Sequence, residues 1–331
     1  MKTTATTLGV IVAATSMLAL APAPTVAQEM LGDGMTVYVQ MGGNPGGPAT
    51  LPRANGAKDA ARHLGAELIE QYSGWLPDVM VRQFREAVAA GPACIVIMGH
   101  PGNDAFADLV DEARADGIIV TSNNTPLSEI YDSHVGGGFG YAGVDLYTGG
   151  YVTAQNMLKA GLAEGDQALV YGLLGQAERG LSTRGLKEGL EEGGVVVDYL
   201  EISPEVNNDT SLVVPILVAY LESNPDLKAI GTQHGGVTGQ LPRALELAGK
   251  APGDIITGGI DLAPSTIDGL QDGYTSVVLD QQLYLQGFLP VMQCVLTGKY
   301  GFSGLFTNTG AGVVTPETIG ELVPLIESGI R

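Results

Sequence analysis

Short apolar runs alternate with amphipathic segments along most of the chain, and this alternation limits the possible folds more than any other sequence feature. The apolar runs have the length of β-strands, and in the segments between them apolar residues return every three or four positions, as in helices. A repeated strand–helix–strand pattern predicts a parallel sheet with helices on both faces. The first predicted strands are MTVYVQM (35–41), AELIEQY (66–72), ACIVIM (93–98) and GIIVTS (117–122), and the helices between them are RANGAKDAARHLG (53–65), PDVMVRQFREAVAA (77–90) and NDAFADLVDEARADG (103–117).

The same alternation starts again after a glycine-rich segment, HVGGGFGYAGVD (134–145). It continues through strand-like runs such as QALVYGLL (167–174) and LKAIGTQ (227–233), with helix-like segments between them. The length of 331 residues, 45% of them hydrophobic, is enough for two domains with separate cores. The sequence therefore predicts an α/β protein with two doubly wound parallel-sheet domains joined by a hinge.

The amino terminus has the features of a secretory signal peptide. Lys2 precedes an uncharged apolar stretch, LGVIVAATSMLALA (8–21), and Thr25-Val26-Ala27 provides a small-x-small cleavage site. A single transmembrane anchor is the alternative, but the stretch is shorter than the roughly 20 apolar residues that span a bilayer. We therefore expect a signal peptide over residues 1–27 and export of the remaining chain.

The chain is strongly acidic. Sixteen Lys and Arg residues against 36 Asp and Glu residues give it a net charge of −20. Such a charge repels phosphate backbones and anionic membrane surfaces, so we expect no nucleic-acid partner.

Motifs for cofactors, metals and common hydrolases are absent or lack their structural context. GFGYAG (138–143) matches G-x-G-x-x-G, but no convincing strand precedes it, so we interpret it as an interdomain hinge or loop. No G-x-S-x-G nucleophile motif occurs. We therefore expect no cofactor. We also expect no metal, because no metal-ligand spacing connects His63, His100, His134 and His234.

The two cysteines lie far apart in the sequence. Cys94 falls in the predicted strand ACIVIM, and Cys294 falls in the helix-like segment YLQGFLPVMQCVL (284–296). We expect both to be small buried hydrophobic residues, while export leaves a disulfide bond open as the alternative.

Polar residues follow five of the predicted strands. The carboxyl ends of parallel strands meet at one edge of a sheet, and ligands bind in the crevice there. Hydrogen-bonding groups at five such ends, rich in Asn, Asp and Gln, favour a neutral polyhydroxylated ligand. These residues are His100, Ser122, Asn123, Asn124, Gln233, His234, Asp261, Asp280 and Gln281.

The chain resembles the periplasmic sugar-binding proteins of ABC importers, of the ribose-binding type (type I periplasmic binding proteins). The segments that carry the resemblance are NPDLKAIGTQHGGVTGQLPRALELAGK (224–250), GGID (258–261) and DGYTSVVLDQQLYLQG (272–287). The resemblance covers nearly the whole mature chain and implies a periplasmic location. We expect an N-terminal lobe of residues 34–142 plus 282–310 and a C-terminal lobe of residues 143–281 plus 311–331, which close around the ligand by a hinge.

The resemblance implies roles for individual residues. His234 matches a polar ligand contact that follows the family's NPDLKAI-like strand. Asp261 matches a carboxylate that accepts hydrogen bonds from sugar hydroxyl groups, and Gln281 matches a hinge glutamine. The family's Asn or Asp after the third strand falls on His100, which would make this histidine a hydrogen-bond donor to the sugar.

Several positions in the first lobe depart from the family pattern. Asn123 and Asn124 stand where the family often has Asp-Arg. Asn44 remains in the loop after the first strand, but glycines replace the aromatic residues that stack on the sugar in that family. Tyr72 and Trp75 are therefore the candidates for stacking, with partial burial in the core as the alternative for Trp75.

One position in the second lobe also departs from the pattern. The family's arginine before the second-lobe RG helix falls on Ser182, so we include the neighbouring Arg179 and Arg184 as candidate ligand contacts.

The resemblance implies the solute-binding component of an ABC transporter. Such a protein would bind a monosaccharide or related polyol, deliver it to a permease in the inner membrane, act as a monomer and catalyse no reaction. An exported carbohydrate-active hydrolase is the alternative, and it would place two carboxyl groups roughly 5–10 Å apart in one cleft. The lactose-repressor family shares the core, but the signal peptide occupies the position of its amino-terminal helix-turn-helix.

Overall fold

The computed structural model describes Lys2, residues 29–176 and residues 178–331. The predicted signal peptide, residues 1–27, lies outside the described residues apart from Lys2, and so does its cleavage site. Within the described part of the chain, no helix combines the length and the apolar character needed to span a membrane.

The first domain is built on a six-stranded parallel sheet with the strand order β2-β1-β3-β4-β5-β11. Helices α2 and α3 cover one face, and α1 and α12 cover the other, so apolar clusters lie on both sides of the sheet. The elements are β1 (Thr36–Gly42), α1 (Thr50–Leu64), β2 (Glu67–Tyr72), α2 (Pro77–Ala90), β3 (Cys94–Met98), α3 (Asn103–Ala115), β4 (Ile119–Asn124), α4 (Ser128–His134) and β5 (Tyr141–Gly143), with α12 (Leu283–Tyr300) and β11 (Phe306–Asn308) returning from the carboxyl-terminal part of the chain.

The second domain repeats this design with the strand order β7-β6-β8-β9-β10-β12. Its strands are parallel except β12, which runs antiparallel to β10. Helices α5 and α6 pack on one face, and α8 and α10 pack on the other. The elements are α5 (Leu146–Lys159), β6 (Gln167–Gly172), α6 (Gly180–Glu192), β7 (Val196–Glu201), α7 (Pro204–Asn208), α8 (Val213–Ser223), β8 (Leu227–Thr232), α9 (Gly235–Thr238), α10 (Leu241–Leu247), β9 (Ile256–Ile260), α11 (Pro264–Gln271), β10 (Val277–Asp280), β12 (Gly312–Val314) and α13 (Val323–Glu327).

The chain crosses between the two domains three times. The crossings follow β5, β10 and β11, and they lie side by side. The Tyr141 hydroxyl lies 2.9 Å from the Asn124 backbone oxygen and 2.8 Å from the Val144 backbone oxygen, so its one hydrogen is shared between the end of β4 and the start of the first crossing. The interpretation of GFGYAG as a hinge or loop is therefore wrong in part, because Tyr141–Gly143 forms β5 and the crossing begins after it.

Helices α1 and α12 pack closely because each presents a glycine at their crossing. A Cβ atom on Gly287 would lie 1.9 Å from the Arg53 backbone oxygen, and one on Gly56 would lie 1.9 Å from the Tyr284 backbone oxygen. This approach brings the side chain of Arg53 against the start of α12, where it is completely buried.

The expectation that the two cysteines are separate buried residues is wrong. Cys94 and Cys294 are both fully buried, but they form a disulfide bond, with their Cα atoms 5.9 Å apart. The bond joins β3 to α12, because the parallel sheet and its covering helix bring together residues 200 positions apart in the chain.

Candidate ligand-binding site

A cavity of about 160 Å³ lies between the two domains, at the carboxyl ends of their strands. A single water molecule needs only about 10–15 Å³ by this measure, so the cavity has room for a small-molecule ligand. Both domains contribute to its walls. The polar and aromatic residues that line it include Asn44, Thr50, Trp75, His100 and Asn124 from the first domain and Arg179, Ser182, Asn207, Gln233, His234 and Asp261 from the second, with Gln281 at a crossing.

Trp75 forms the aromatic part of the first-domain wall. Its ring lies against the backbone of Gly42 and Gly43, where a Cβ atom would come within 2.6 Å of ring atoms. It stacks on the His100 ring with the ring centroids 5.5 Å apart, and the Arg179 guanidinium lies 5.5 Å from its centroid. The aromatic face is thus fixed by packing on one side and by a cation from the opposite domain.

His100 lies at the carboxyl end of β3 and is buried. Its Nε2 atom is 2.8 Å from Asn124 Oδ1. Burial lowers the pKa of His100 well below its ordinary value, and the positive charges of Arg179 and Arg53 act in the same direction. The histidine is therefore neutral at pH 7.

Asp261 provides the carboxylate of the second-domain wall. It follows β9, and its Oδ1 atom accepts a hydrogen bond of 2.6 Å from Gln281 Nε2. Burial raises the pKa of Asp261 from 3.8 to about 6, although the hydrogen bond from Gln281 and the charges of Arg53 and Arg179 oppose this rise. The carboxyl group remains ionised for most of the population at pH 7, with one oxygen left to accept hydrogen bonds from a ligand.

Arg179 places a positive charge beside the cavity. It directly precedes α6, and its side chain donates a hydrogen bond of 2.9 Å to Asn207 Oδ1. Burial lowers its pKa to about 10, so it stays charged at neutral pH. Burial and the charge of Arg179 together lower the pKa of His234 to about 3, which the nearby backbone groups of Asn207 and His234 offset only in part.

Several buried polar atoms of residues that line the cavity have no hydrogen-bond partner among the described residues. They are His100 Nδ1, Gln233 Nε2 and both ring nitrogens of His234. A buried polar atom without a partner costs about 1–3 kcal/mol, and native proteins contain few of them. A ligand with several hydroxyl groups can satisfy both the donors and the acceptors in this set.

Three non-glycine residues that line the cavity have left-handed backbone conformations. Their φ angles are 63° for Trp75, 61° for Asn124 and 70° for Asp261. Such conformations cost on the order of 1–3 kcal/mol each and cluster at functional sites. Their coincidence at this cavity supports it as the functional site of the protein.

The structure brings nine of the twelve sequence-derived candidates to the cavity wall. The nine are Asn44, Trp75, His100, Asn124, Arg179, Ser182, His234, Asp261 and Gln281.

The other three candidates do not line the cavity. Asn123 points to the opposite face of its strand from Asn124, and its Nδ2 atom donates to the Gln40 backbone oxygen at 3.2 Å. Tyr72 packs on the face of the first-domain sheet that α1 and α12 cover, and its hydroxyl donates to Glu70. Arg184 is exposed. It follows Ser182 by two residues in α6 and therefore lies on nearly the opposite side of the helix.

The cavity also contains residues that are not among the twelve candidates. Gln233 is one of the polar strand-end residues, but only the adjacent His234 matched a family position. Asn207 and Thr210 come from the segment between β7 and α8, and neither follows a strand directly. Thr50 lies at the start of α1, where its hydroxyl donates to the Asn44 backbone oxygen at 2.6 Å.

The carboxylates and possible metal ligands of the cavity bear on the hydrolase alternative. Asp261 is the one carboxylate among the described residues that line it. No cluster of His, Cys, Asp and Glu within the described residues could hold a metal ion.

The fold and the cavity are those of a two-domain binding protein, and the candidate ligand site lies between the domains. The chain belongs to the periplasmic binding protein domain family, whose model matches residues 26–299. Its two parallel-sheet domains have the type I fold of such proteins.

Several known proteins are similar to this chain. The xylose/arabinose-binding protein XylF of Sulfolobus acidocaldarius is 29% identical over 260 residues, which cover 75% of this chain and 63% of that protein. The match thus spans less than two thirds of that relative's length.

Solved structures share the fold over almost the whole chain. A carbohydrate transporter from Acidothermus cellulolyticus, in complex with myo-inositol, has a TM-score of 0.76 at 19% identity and covers 90% of this chain and 99% of its own. An ABC transporter solute-binding protein from Burkholderia graminis, in complex with D-arabinose, has a TM-score of 0.76 at 22% identity and covers 87% of this chain and 97% of its own.

Proposed function

We propose that this protein binds a monosaccharide or related polyol in the cavity between its domains and delivers it to a membrane permease of the ABC class. The observation that carries the proposal is the cavity between the domains, in which an aromatic ring, one carboxylate and several buried polar atoms without partners meet. Hydroxyl groups of a sugar would satisfy these atoms, and the part of the Trp75 ring that lines the cavity would contact its C–H groups.

The ligands of the similar proteins support the same class of ligand. XylF is named for xylose and arabinose, and the two solved structures contain myo-inositol and D-arabinose. All are neutral polyhydroxylated molecules. This agrees with a cavity in which the charges of Arg179 and Asp261 oppose each other.

The lobes in this proposal are residues 34–142 plus 282–310 and residues 143–281 plus 311–331, which close on the ligand at the three crossings. Contacts between the domains support closure over the cavity. Asn103 Nδ2 donates to Glu178 Oε1 at 3.2 Å, and Trp75 meets Arg179. Removal of the signal peptide would release a monomer into the periplasm, where the closed form would present the ligand to the permease.

The proposal does not include catalysis. A hydrolase with paired carboxylates needs two carboxyl groups in one cleft, roughly 5–10 Å apart. The described residues lining this cavity supply only Asp261.

A thermal-shift screen of residues 28–331 tests the proposed function. The screen includes D-xylose, D-arabinose, other aldopentoses, aldohexoses and myo-inositol. A ligand at a thousandfold excess over its Kd stabilises the folded state by about 4 kcal/mol, so we expect at least one compound to raise the midpoint by several degrees.

The cavity variant Asp261→Ala should abolish that shift. Asp226→Ala, which removes an exposed carboxylate, should retain it. No shift with any sugar or polyol would contradict the proposal, and cleavage of a glycoside by the protein would favour the hydrolase.

A further inference from the structure

A chain of four buried side chains leads from the interior of the first domain to the cavity. Arg53 Nη2 donates to Gln286 Oε1 at 3.1 Å, and Asn124 Nδ2 donates to the same oxygen at 3.0 Å. Asn124 Oδ1 lies 2.8 Å from His100 Nε2. All four residues are at most 9% exposed, so water does not replace these contacts.

The hydrogen-bond partners of the Gln286 amide fix which of its two atoms is the oxygen. A guanidinium group can only donate hydrogen bonds, so the atom that faces Arg53 must be the oxygen Oε1. Gln286 Nε2 is 3.1 Å from the Gln281 backbone oxygen, which can only accept, and 3.2 Å from Thr309 Oγ1. A flipped amide would place two donors together at one end and two acceptors at the other.

This orientation determines the next two groups in turn. Because Gln286 presents an oxygen, Asn124 must direct its Nδ2 group towards Gln286 and its Oδ1 atom towards His100. His100 Nε2 must then carry the hydrogen and donate it to Asn124. Every hydrogen bond among Arg53, Gln286, Asn124 and His100 therefore has only one possible direction. We call these four side chains the relay.

The protonation state of the other ring nitrogen of His100, Nδ1, follows from the overall charge of the ring. Burial lowers the pKa of His100 well below its ordinary value, and electrostatic interactions with Arg179 at the amino end of α6, Arg53 from α1 and His234 after β8 act in the same direction. The hydrogen bond to Asn124 opposes this shift only in part. The ring is therefore neutral, and Nδ1 carries a lone pair. Nδ1 is buried and has no partner among the described residues.

We propose that Arg53, Gln286 and Asn124 act as positioning residues that hold His100 as the Nε2-protonated tautomer, so that its Nδ1 atom is a hydrogen-bond acceptor for the ligand. A ligand hydroxyl that reaches Nδ1 must donate its hydrogen. An ether, a carbonyl or a carboxylate oxygen at the same place would leave two acceptors facing each other without a hydrogen between them. This role is the opposite of the donor role expected from the sequence.

The statement about the ligand rests on the proposed function, but the state of His100 in the free protein does not. Nitrogen-15 NMR of the ligand-free protein at pH 7 distinguishes a protonated ring nitrogen from an unprotonated one. The His100 signals are assigned by their loss in His100→Gln. We expect a protonated Nε2 and an unprotonated Nδ1, and either the other tautomer or an imidazolium would overturn the proposal.

Two variants on α12 separate positioning from general stability. Gln286→Leu removes the oxygen that orients Asn124, so we expect the His100 signals to change to a mixture of tautomers. Gln293→Leu is the matched control, because it removes another buried glutamine of α12, one that bonds to Thr297 and Ser303 instead. We expect it to leave the His100 signals unchanged even if it lowers stability.

Wild-type signals in Gln286→Leu, or the same change in both variants, would overturn the relay. For a sugar identified by the thermal-shift screen, we expect Gln286→Leu to raise the Kd about tenfold, the equivalent of roughly 1.4 kcal/mol. A screen without any binding sugar would refute the proposed function, while the spectra of the free protein would still decide the tautomer.

Discussion

Asp261 combines a role in the proposed site with a cost to the empty protein. Its pKa in the folded state is about 6, above the 3.8 of an unperturbed aspartate. The folded protein therefore binds a proton more tightly than the unfolded chain, and the contribution of this group to stability falls as the pH rises from about 4 to about 6. Above pH 6 the buried charge lowers the stability of the ligand-free protein by up to about 3 kcal/mol.

We therefore predict that Asp261→Asn is more stable than the wild type in the absence of ligand at pH 7. The difference in the free energy of unfolding, measured by urea titration, should shrink towards zero as the pH is lowered to 4. Asp226→Asn removes an exposed carboxylate and should show no comparable trend. A variant that is less stable than the wild type at pH 7 would show that the buried charge does not destabilise the folded protein.

Which residues of the site could be found from the sequence depends on how each one reaches the cavity. His100, Asn124 and Asp261 directly follow parallel strands or end them, so the strand pattern alone points to them. Asn207 lies in the short helix α7 of a connecting segment, and no sequence pattern marks such a position as part of a site. The sequence also placed Asn123 beside Asn124 at the site, although adjacent residues of a strand face opposite sides.

The glycine contact between α1 and α12 is important for both the core and the relay. Gly287→Ala would place a Cβ atom 1.9 Å from the Arg53 backbone oxygen and force the two helices apart. Overpacking of this kind typically costs about 1–3 kcal/mol or more, so we predict a loss of at least about 2 kcal/mol in urea unfolding.

Gly320→Ala is the control for this prediction. Gly320 has open space where a Cβ atom would lie, and its φ angle is not positive. We expect its free energy of unfolding to stay near the wild-type value. Equal stability of the two variants would mean that the helices separate without cost.

The disulfide bond holds α12 to β3. It closes a loop of 200 residues, and loss of a native disulfide typically costs about 2–5 kcal/mol. We predict that the double variant Cys94→Ala/Cys294→Ala unfolds at a clearly lower temperature than the oxidised wild type. A reducing agent present during unfolding should lower the midpoint of the wild type only. Identical midpoints for the oxidised wild type and the double variant would disprove a stabilising bond.

Most secondary-structure elements are readable from the sequence because helix and strand periods differ. The predicted strands and helices of the first domain coincide with β1–β4 and α1–α3 to within a few residues. The residues after the strand-like run LKAIGTQ form two short helices, α9 and α10, because Pro242 in the first turn of α10 favours a new helix start there. The disulfide bond could not be derived, because sequence distance does not indicate which helix covers which strand.

At the scale of the whole molecule, the two domains share one design, and the cavity exists only where they meet. Each sheet has the same order of its first five strands, and residues at the carboxyl ends of the strands in both sheets line the same cavity. The repeat of the alternating pattern predicted two such domains. The closeness of their approach, with Arg179 of one domain over Trp75 of the other, depends on the three crossings and was not predictable from periodicity.

Fluorescence of Trp75 tests the central claim, that a neutral sugar or polyol binds in this cavity, most directly. Trp75 is the single tryptophan of the chain, and it lines the cavity against His100 and Arg179. We predict that at least one of D-xylose, D-arabinose and myo-inositol changes its emission saturably, with one site per chain, and that Asp261→Ala abolishes the change. An emission spectrum that neither these nor other neutral sugars or polyols alter at millimolar concentration would contradict the account.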